Sequence, residues 1–310
     1  MSSAVTLTTL LPSDAEAAAR LIHRSLVDWY QSRLGQGARF GDSHEPFLQF
    51  PQVYEALDPG EGLAVRDEQT NSLLGVCFTH ERETHVAIGI VATSPEAAGR
   101  GVARKMMEAV LGKARQLGKP ARLVSSLLNL DSFSLYTRLG FVPGTIFQDM
   151  LVKVPESGMA APPPVGAERV REARPDEASR LADFELRLQG VRREKDYAFF
   201  LRNETGSWKV LVLEDEVGGL KGFITLGLSF GMMGPGVAAD DASAAALLWK
   251  GLDAMRGSSP VFLVPCAASR LVTTLYGWGA RNVELHVAQS TAPGPTAQGI
   301  SFPTFLPESA

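Results

Sequence analysis

The chain has 310 residues, 45% of them hydrophobic, and a formal net charge of −4, which is enough apolar side chain for two cores of ordinary size and too acidic a balance for nucleic acid to be the main partner. No apolar segment follows Met1, and no run approaches the roughly 18 apolar residues of a membrane helix. A soluble, cytoplasmic protein with no membrane partner is expected.

Residues 4–11 alternate as a first strand, and Pro12-Ser13-Asp14 opens a helix to about Leu34 with Ser13 or Asp14 as cap. Residues 35–51 read as a polar and aromatic connection and 52–57 as a short helix. Residues 62–66 and 73–79 then form a hairpin across 67–72. An apolar strand with Val86, Ile88 and Ile90 breaks at Ala98-Gly99-Arg100-Gly101-Val102-Ala103. Beyond it Val102, Met106, Val110 and Ala114 recur at helical spacing, with Arg104, Lys105, Glu108, Lys113 and Arg115 at the other positions. Cys77 and Cys266, the only two cysteines, sit in apolar strand-like runs and read as free thiols of a reducing compartment.

A glycine turn that feeds a helix suits a phosphate, because the first helical turn has N–H groups without partners and glycine lets an anion come close. A dinucleotide turn would need a third glycine where Arg104 stands, and a P-loop would need Ser or Thr after Gly-Lys, where Gly112-Lys113 precedes Ala114 and Gly118-Lys119 precedes Pro120. What remains, V-x-x-x-P-E-x-x-G-R-G-V-A between a strand and an amphipathic helix, resembles the acyl-CoA-binding motif of the GNAT superfamily of N-acyltransferases, usually R/Q-x-x-G-x-G/A. Ala98 stands where that family usually has Arg or Gln.

A second segment resembles the later GNAT motif N-x-x-A-x-x-L-Y-x-x-x-G-F: Asn129 leads to Leu135-Tyr136 and on to Gly140-Phe141, with Ser132 for the alanine. The resemblance implies that the amides of residues 99–104 hold the pyrophosphate of coenzyme A. Its cofactor-binding set is then Val91, Thr93, Gly99, Arg100, Gly101, Val102, Ala103, Arg104 and Asn129, and no metal is called for. Arg100, Arg104 and Lys105 read either as partners of phosphate oxygens or as a solvated helix face. Tyr136 is implied as the general acid for the departing thiolate, since a phenol of pKa about 10 can protonate a thiolate whose conjugate acid lies near about 8.5. A packed tyrosine is the plainer alternative.

The family often carries a glutamate on the strand before the turn, but that position here is Ala87. The base is therefore open among His85, Glu83, Glu81, a water or none, with His80 close by; each also reads as a surface residue at a strand end. The acceptor, a primary amine of a small molecule or peptide, should enter over the first helices, where Trp29, Tyr30, Phe40, Asp42, His44, Glu45 and Phe47 fall. Packing aromatics and solvated acids are the plainer reading of that group.

Residues 156–167, rich in Pro, Gly and Ala, read as a linker. A strand at Arg169 and Val170, a helix opened by Pro175-Asp176-Glu177, strands at 210–213 and 222–226, an apolar helix at 242–255, and 261–265, 269–276 and Gly279-Ala280 repeat the opening order. The expected class is α/β (α+β), with two tandem GNAT-like domains, each a mixed, mostly antiparallel sheet flanked by helices: a catalytic domain at 1–155, the linker at 156–167 and a degenerate domain at 168–310. In the latter the loop from Gly234 to Asp241 ends in two carboxylates, which would repel a pyrophosphate at a helix start. Aligning Gly279 with Gly140 puts Leu275 at the Tyr136 position, unless a one-residue deletion brings Tyr276 there. An N-acetyltransferase using acetyl-CoA as co-substrate is the first reading and a non-catalytic acyl-CoA-binding or regulatory protein the second. A homodimer is left open.

Overall fold

A computed structural model describes residues 4–293 and 298–304; the end of the expected second domain, 305–310, lies outside the described residues. The chain folds into two compact units, residues 1–81 with 86–121 and residues 82–85 with 122–310.

The first unit runs β1 (Val5–Thr9), α1 (Ala15–Leu34), α2 (Gln49–Leu57), β2 (Gly62–Asp67), β3 (Leu73–Glu81), β4 (Val86–Thr93) and α3 (Val102–Gln116). Its strands form an antiparallel meander in the order β1-β2-β3-β4. The β2–β3 turn closes because Asp67 Oδ1 accepts the N–H groups of Gln69 and Thr70, a local bond that aspartate makes readily. Asp14 does not cap α1: its carboxylate reaches back to the Leu11 N–H at 2.9 Å and receives Arg66 Nη2 at 2.6 Å. Residues 35–51 hold two short 3-10 turns, Gly37–Phe40 and Glu45–Leu48, and α2 starts earlier than the spacing predicts, at Gln49. Pro51 is compatible with that start, since the first turn needs no donor.

On one face of this sheet α3 buries Val102, Met106, Met107, Val110, Leu111 and Ala114. It comes so close that a Cβ at Gly75 would lie 2.5 Å from Val102 Cγ1. On the other face the Tyr54 ring stacks on Phe78 at 4.5 Å and lies 4.7 Å from His80.

The second unit contains β5 (Ala121–Ser126), whose first residue belongs to the other unit, then α4 (Leu130–Arg138), β6 (Val142–Leu151), β7 (Val170–Glu172), α5 (Ala178–Gln189), α6 (Glu194–Arg202), β8 (Trp208–Glu214), β9 (Leu220–Gly227), β10 (Met232–Ala238), α7 (Asp241–Ala254), β11 (Val261–Pro265), α8 (Ser269–Gly277), β12 (Arg281–Ser290) and β13 (Ile300–Phe302). Its strand order is β5-β12-β6-β11-β10-β9-β8-β7, with β13 on β10. Strand β12 lies antiparallel between β5 and β6, and the other edge of β6 pairs with β11. The core gathers Leu247, Leu248 and Leu252 of α7 with Phe262, Leu275 and Phe302.

Three elements depart from the sequence reading. Strand β6 begins at Val142, directly after the glycine corner, in a stretch to which the sequence reading assigns no element, because its first five residues are exposed and show no alternation. Gly234 to Ala238 belong to strand β10 and not to a loop. Glycine is required there because a Cβ at Gly236 would strike the backbone of Phe223 and Ile224. Helix α6 and the connection before it anchor the short segment 82–85 of this unit: buried Arg82 donates from Nε to Asp196 Oδ1 at 2.6 Å, and the Arg192 N–H donates to Thr84 Oγ1 at 2.9 Å. Residues 156–166 form no helix or strand, yet they are tied down, with Trp249 Nε1 donating to the Ala161 carbonyl at 2.9 Å. Among the described residues no helix is long and apolar enough to cross a membrane.

Candidate active site

Strand β4 ends in a short 3-10 turn, Pro95–Ala97, and the chain then passes through Gly99 at φ 76° and Gly101 at φ 73° before α3 begins. Space is open where a Cβ at either glycine would stand, so the requirement is the left-handed backbone. Among the described residues the N–H groups of Gly99, Gly101, Val102, Ala103 and Arg104 have no acceptor, whereas that of Arg100 donates to the Ala97 carbonyl at 3.1 Å. Five amides at the positive end of a fifteen-residue helix make an anion cradle.

The cations beside it are turned elsewhere. Arg100 Nη2 donates to Asp67 Oδ2 at 3.1 Å, Lys105 Nζ to the Val5 carbonyl at 2.6 Å, and Arg104, half exposed, makes a long contact with Glu108 at 3.5 Å. The cradle is thus built from backbone. Val91 and Thr93, on β4 opposite Cys77 and Gly75, are half-buried.

The base candidates divide. His80 and His85 are buried, not at the surface. His80 Nδ1 meets Asp58 Oδ2 at 2.5 Å, which locks the imidazole to the end of α2, and His85 Nδ1 meets the Thr84 hydroxyl at 3.0 Å. Glu81 pairs with Lys119 at 2.9 Å and Glu83 with Arg192 at 2.6 Å. Ala87 is buried and carries no chemistry. The acceptor-side aromatics pack on one another: Tyr30 meets Trp29 at 5.0 Å and Phe40 at 4.8 Å, Phe47 lies 5.2 Å from His23, His44 binds Glu16, and Asp42 and Glu45 are exposed. Cys77 is buried, its thiol pushed up to about 12, and both cysteines are free.

In the second unit Asn129 is the N-cap of α4, its side-chain oxygen accepting the Ser132 N–H at 3.0 Å. Tyr136 is buried on the last turn, 5.9 Å from Phe141. Helix α8 repeats this geometry bond for bond. The Phe141 N–H donates to the Tyr136 carbonyl and that of Gly140 to Thr137; the Ala280 N–H donates to Leu275 and that of Gly279 to Tyr276. At the other end the Phe133 N–H donates to Asn129 and that of Val272 to Ala268. Leu275, fully buried, therefore occupies the Tyr136 position with no deletion, and Ala268 the Asn129 position. Tyr276 points outward, its hydroxyl donating to Gln148 Oε1 at 2.6 Å. Helix α7 is capped by Asp240, whose carboxylate accepts the Ser243 N–H at 2.8 Å.

One group escaped the sequence reading. Strand β12 sets Glu284 and His286 beside Ser126, the last residue of β5. The alternation Val283-Glu-Leu-His-Val287 was the available signal.

The first unit thus carries a strand, a glycine turn with open amides and an amphipathic helix, and the second a capped helix that ends in a buried tyrosine. The Acetyltransferase (GNAT) family model matches residues 23–141. Solved structures extend the fold likeness over nearly the whole chain. A putative acetyltransferase from Pyrococcus horikoshii is 14% identical with a TM-score of 0.72, covering 95% of this chain and 91% of its own. A GCN5-related N-acetyltransferase from Sphaerobacter thermophilus is 16% identical with a TM-score of 0.64, at 94% and 97% coverage. A tandem GNAT protein from the clavulanic acid biosynthesis pathway is 13% identical with a TM-score of 0.59, at 94% and 100%. No curated protein sequence matches the chain.

Proposed function

We propose that the protein is an N-acetyltransferase that moves the acetyl group of acetyl-CoA to a primary amine of a small molecule or peptide, within a catalytic domain at 1–155 joined by the linker to a degenerate domain at 168–310. The observation that carries this reading is the set of five open amides at the start of α3, a cradle suited to the pyrophosphate of coenzyme A. Asn129 would serve the pantetheine arm through its amide nitrogen, since its oxygen is engaged in capping α4. Tyr136 would act as general acid: the amine attacks the thioester carbon, the C–S bond breaks, and the phenol protonates the departing sulfur. Two free cysteines suit a reducing cytoplasm.

The test is thiol release from acetyl-CoA in the presence of spermidine, lysine, tyramine and a peptide with a free N-terminus, alongside calorimetric titration with coenzyme A. Turnover of one amine with binding of one coenzyme A per chain is expected. Binding without turnover of any amine would leave a non-catalytic acyl-CoA-binding protein. No binding would overturn both readings.

A further inference from the structure

Strand β12 comes from the second sequence repeat but pairs with β5 of the first. In that antiparallel register His286 stands opposite Ser126, and on the other side Glu284 stands opposite Asp149 of β6 and His286 opposite Phe147. Directly opposed residues share a sheet face. One face therefore carries Ser126, His286, Glu284 and Asp149, and below them an apolar floor of Val124, Phe147, Leu263 and Ala288. The shared face is confirmed by the Ser126 hydroxyl, which donates to Glu284 Oε1 while accepting the Leu128 N–H at 3.1 Å.

Two further observations mark this cluster as more than a buried polar patch. The register of β12 against β6 shifts between Asn282 and Glu284, a bulge immediately before the carboxylate, and bulges re-aim side chains next to sites. The Leu127 N–H donates to the Leu285 carbonyl at 2.8 Å. That bond ties β12 to the connection that leads, through the Asn129 cap, into the helix bearing Tyr136. Glu284 is only 6% exposed, while His286 and Asp149 are half-buried and within reach of a solute.

We propose that Glu284 and His286 form the acceptor-side group of the transferase, Glu284 holding the ammonium of the incoming amine with Asp149 beside it and His286 taking its proton. The inference rests on the acetyltransferase reading above. Imidazole is the side chain whose ordinary pKa lies nearest neutrality, which suits it to discharge an ammonium. The ammonium gives one proton to His286, and its freed electron pair forms the C–N bond at the thioester carbon. The C–S pair leaves on sulfur and takes the Tyr136 proton, and the phenolate recovers a proton from the tetrahedral nitrogen. His286 returns its proton to solvent, so an ammonium and a thioester become an amide, a thiol and a proton. The charged groups facing His286 are Glu284 on its own strand and Asp149 on β6; farther along β5 lies Arg122, with Glu185 of α5 and Arg193 around it. The second repeat thereby supplies chemistry to the first rather than only bracing it.

The test uses the full chain with His286→Gln and Glu284→Gln, both near-isosteric, and two nucleophiles: the amines of the panel above, and hydroxylamine, which is neutral near physiological pH. For His286→Gln, thiol release with a protonated amine should fall about a hundredfold and lose the acidic limb of its pH profile. With hydroxylamine the loss should shrink to a few-fold, and KM for acetyl-CoA should hold. For Glu284→Gln, KM for the cationic amine should rise roughly tenfold, as for a lost charge-assisted hydrogen bond, and that for hydroxylamine should not. Wild-type rates and pH profile in both variants, or equal losses with both nucleophiles, overturn the inference and leave the acetyltransferase reading standing. Absence of turnover in the unaltered protein with every nucleophile overturns both.

Discussion

The helices α3 and α7 hold the same place in the two sequence repeats and begin in opposite ways. Before α3 the chain makes two left-handed glycine steps and leaves five amides without acceptors; before α7, β10 runs straight into Asp240, which takes the Ser243 amide for itself. Helices α4 and α8 add the same contrast, since Asn129 and Tyr136 give way to Ala268 and Leu275 on one shared hydrogen-bond pattern. The backbone of the repeat is thus indifferent to chemistry. A few side chains and two glycine conformations separate a copy with open amides from one whose Asp240 carboxylate takes the Ser243 amide.

The contrast can be broken most severely at Gly101. Gly101→Glu gives α3 the negative charge that α7 carries and forces a side chain into a left-handed conformation, so coenzyme A binding should disappear in calorimetric titration while the far-ultraviolet circular dichroism holds. Tyr136→Phe moves α4 toward α8. It keeps the ring against Phe141, so acetyl-CoA affinity should hold while kcat falls about a hundredfold to ten-thousandfold. Unchanged kcat with chemistry limiting would reduce the tyrosine to a packing residue. Asp240→Ala sharpens the contrast from the other side: the lost cap should cost about 1 kcal/mol, read as a Tm lower by a few degrees, and coenzyme A stoichiometry should stay at one per chain.

The smallest effect concerns a device that both repeats keep. Asp14 receives the Leu11 amide and Arg66, and Glu177 receives the Arg174 amide at 2.7 Å and Arg171 at 2.8 Å. The Arg171 hydrogen bonds hold Glu177 and Glu214 down at about 2. Because their folded values are depressed, the stabilisation is complete above the ordinary carboxylate range and is lost as pH falls through it toward about 2. Melting temperatures measured between these limits should decline with acid, and Arg171→Leu should flatten that decline.

Much of this was legible in the residues. The period of α3 and the glycine turn follow from local spacing, which the sequence carries in full, and the Asn129 to Phe141 stretch was legible through its resemblance to a known motif. The corner of α8 was legible too, because counting from Gly279 already reaches Leu275. What local pattern could not reveal was pairing between distant segments. Nothing in residues 142–146, all exposed, announces a strand, and nothing near residue 284 says that it will lie beside Ser126. The same limit put Gly234 to Ala238 in a loop, since the backbones that crowd those glycines come from β9 and from the chain beyond β13.

The position of β12 also constrains how the protein is made. Ser126 and Glu284 are 158 residues apart in sequence yet adjacent in the sheet, so the segment bearing Asn129 and Tyr136 waits, as the chain is synthesised, for a neighbour that arrives near the end. Long-range pairings of this kind slow folding and leave strand edges open while they are pending. A nascent chain that stalls after the first repeat therefore presents β5 and β6 with unfilled edges. Its fate turns on whether ribosomes and chaperones shield them until the last strand comes through.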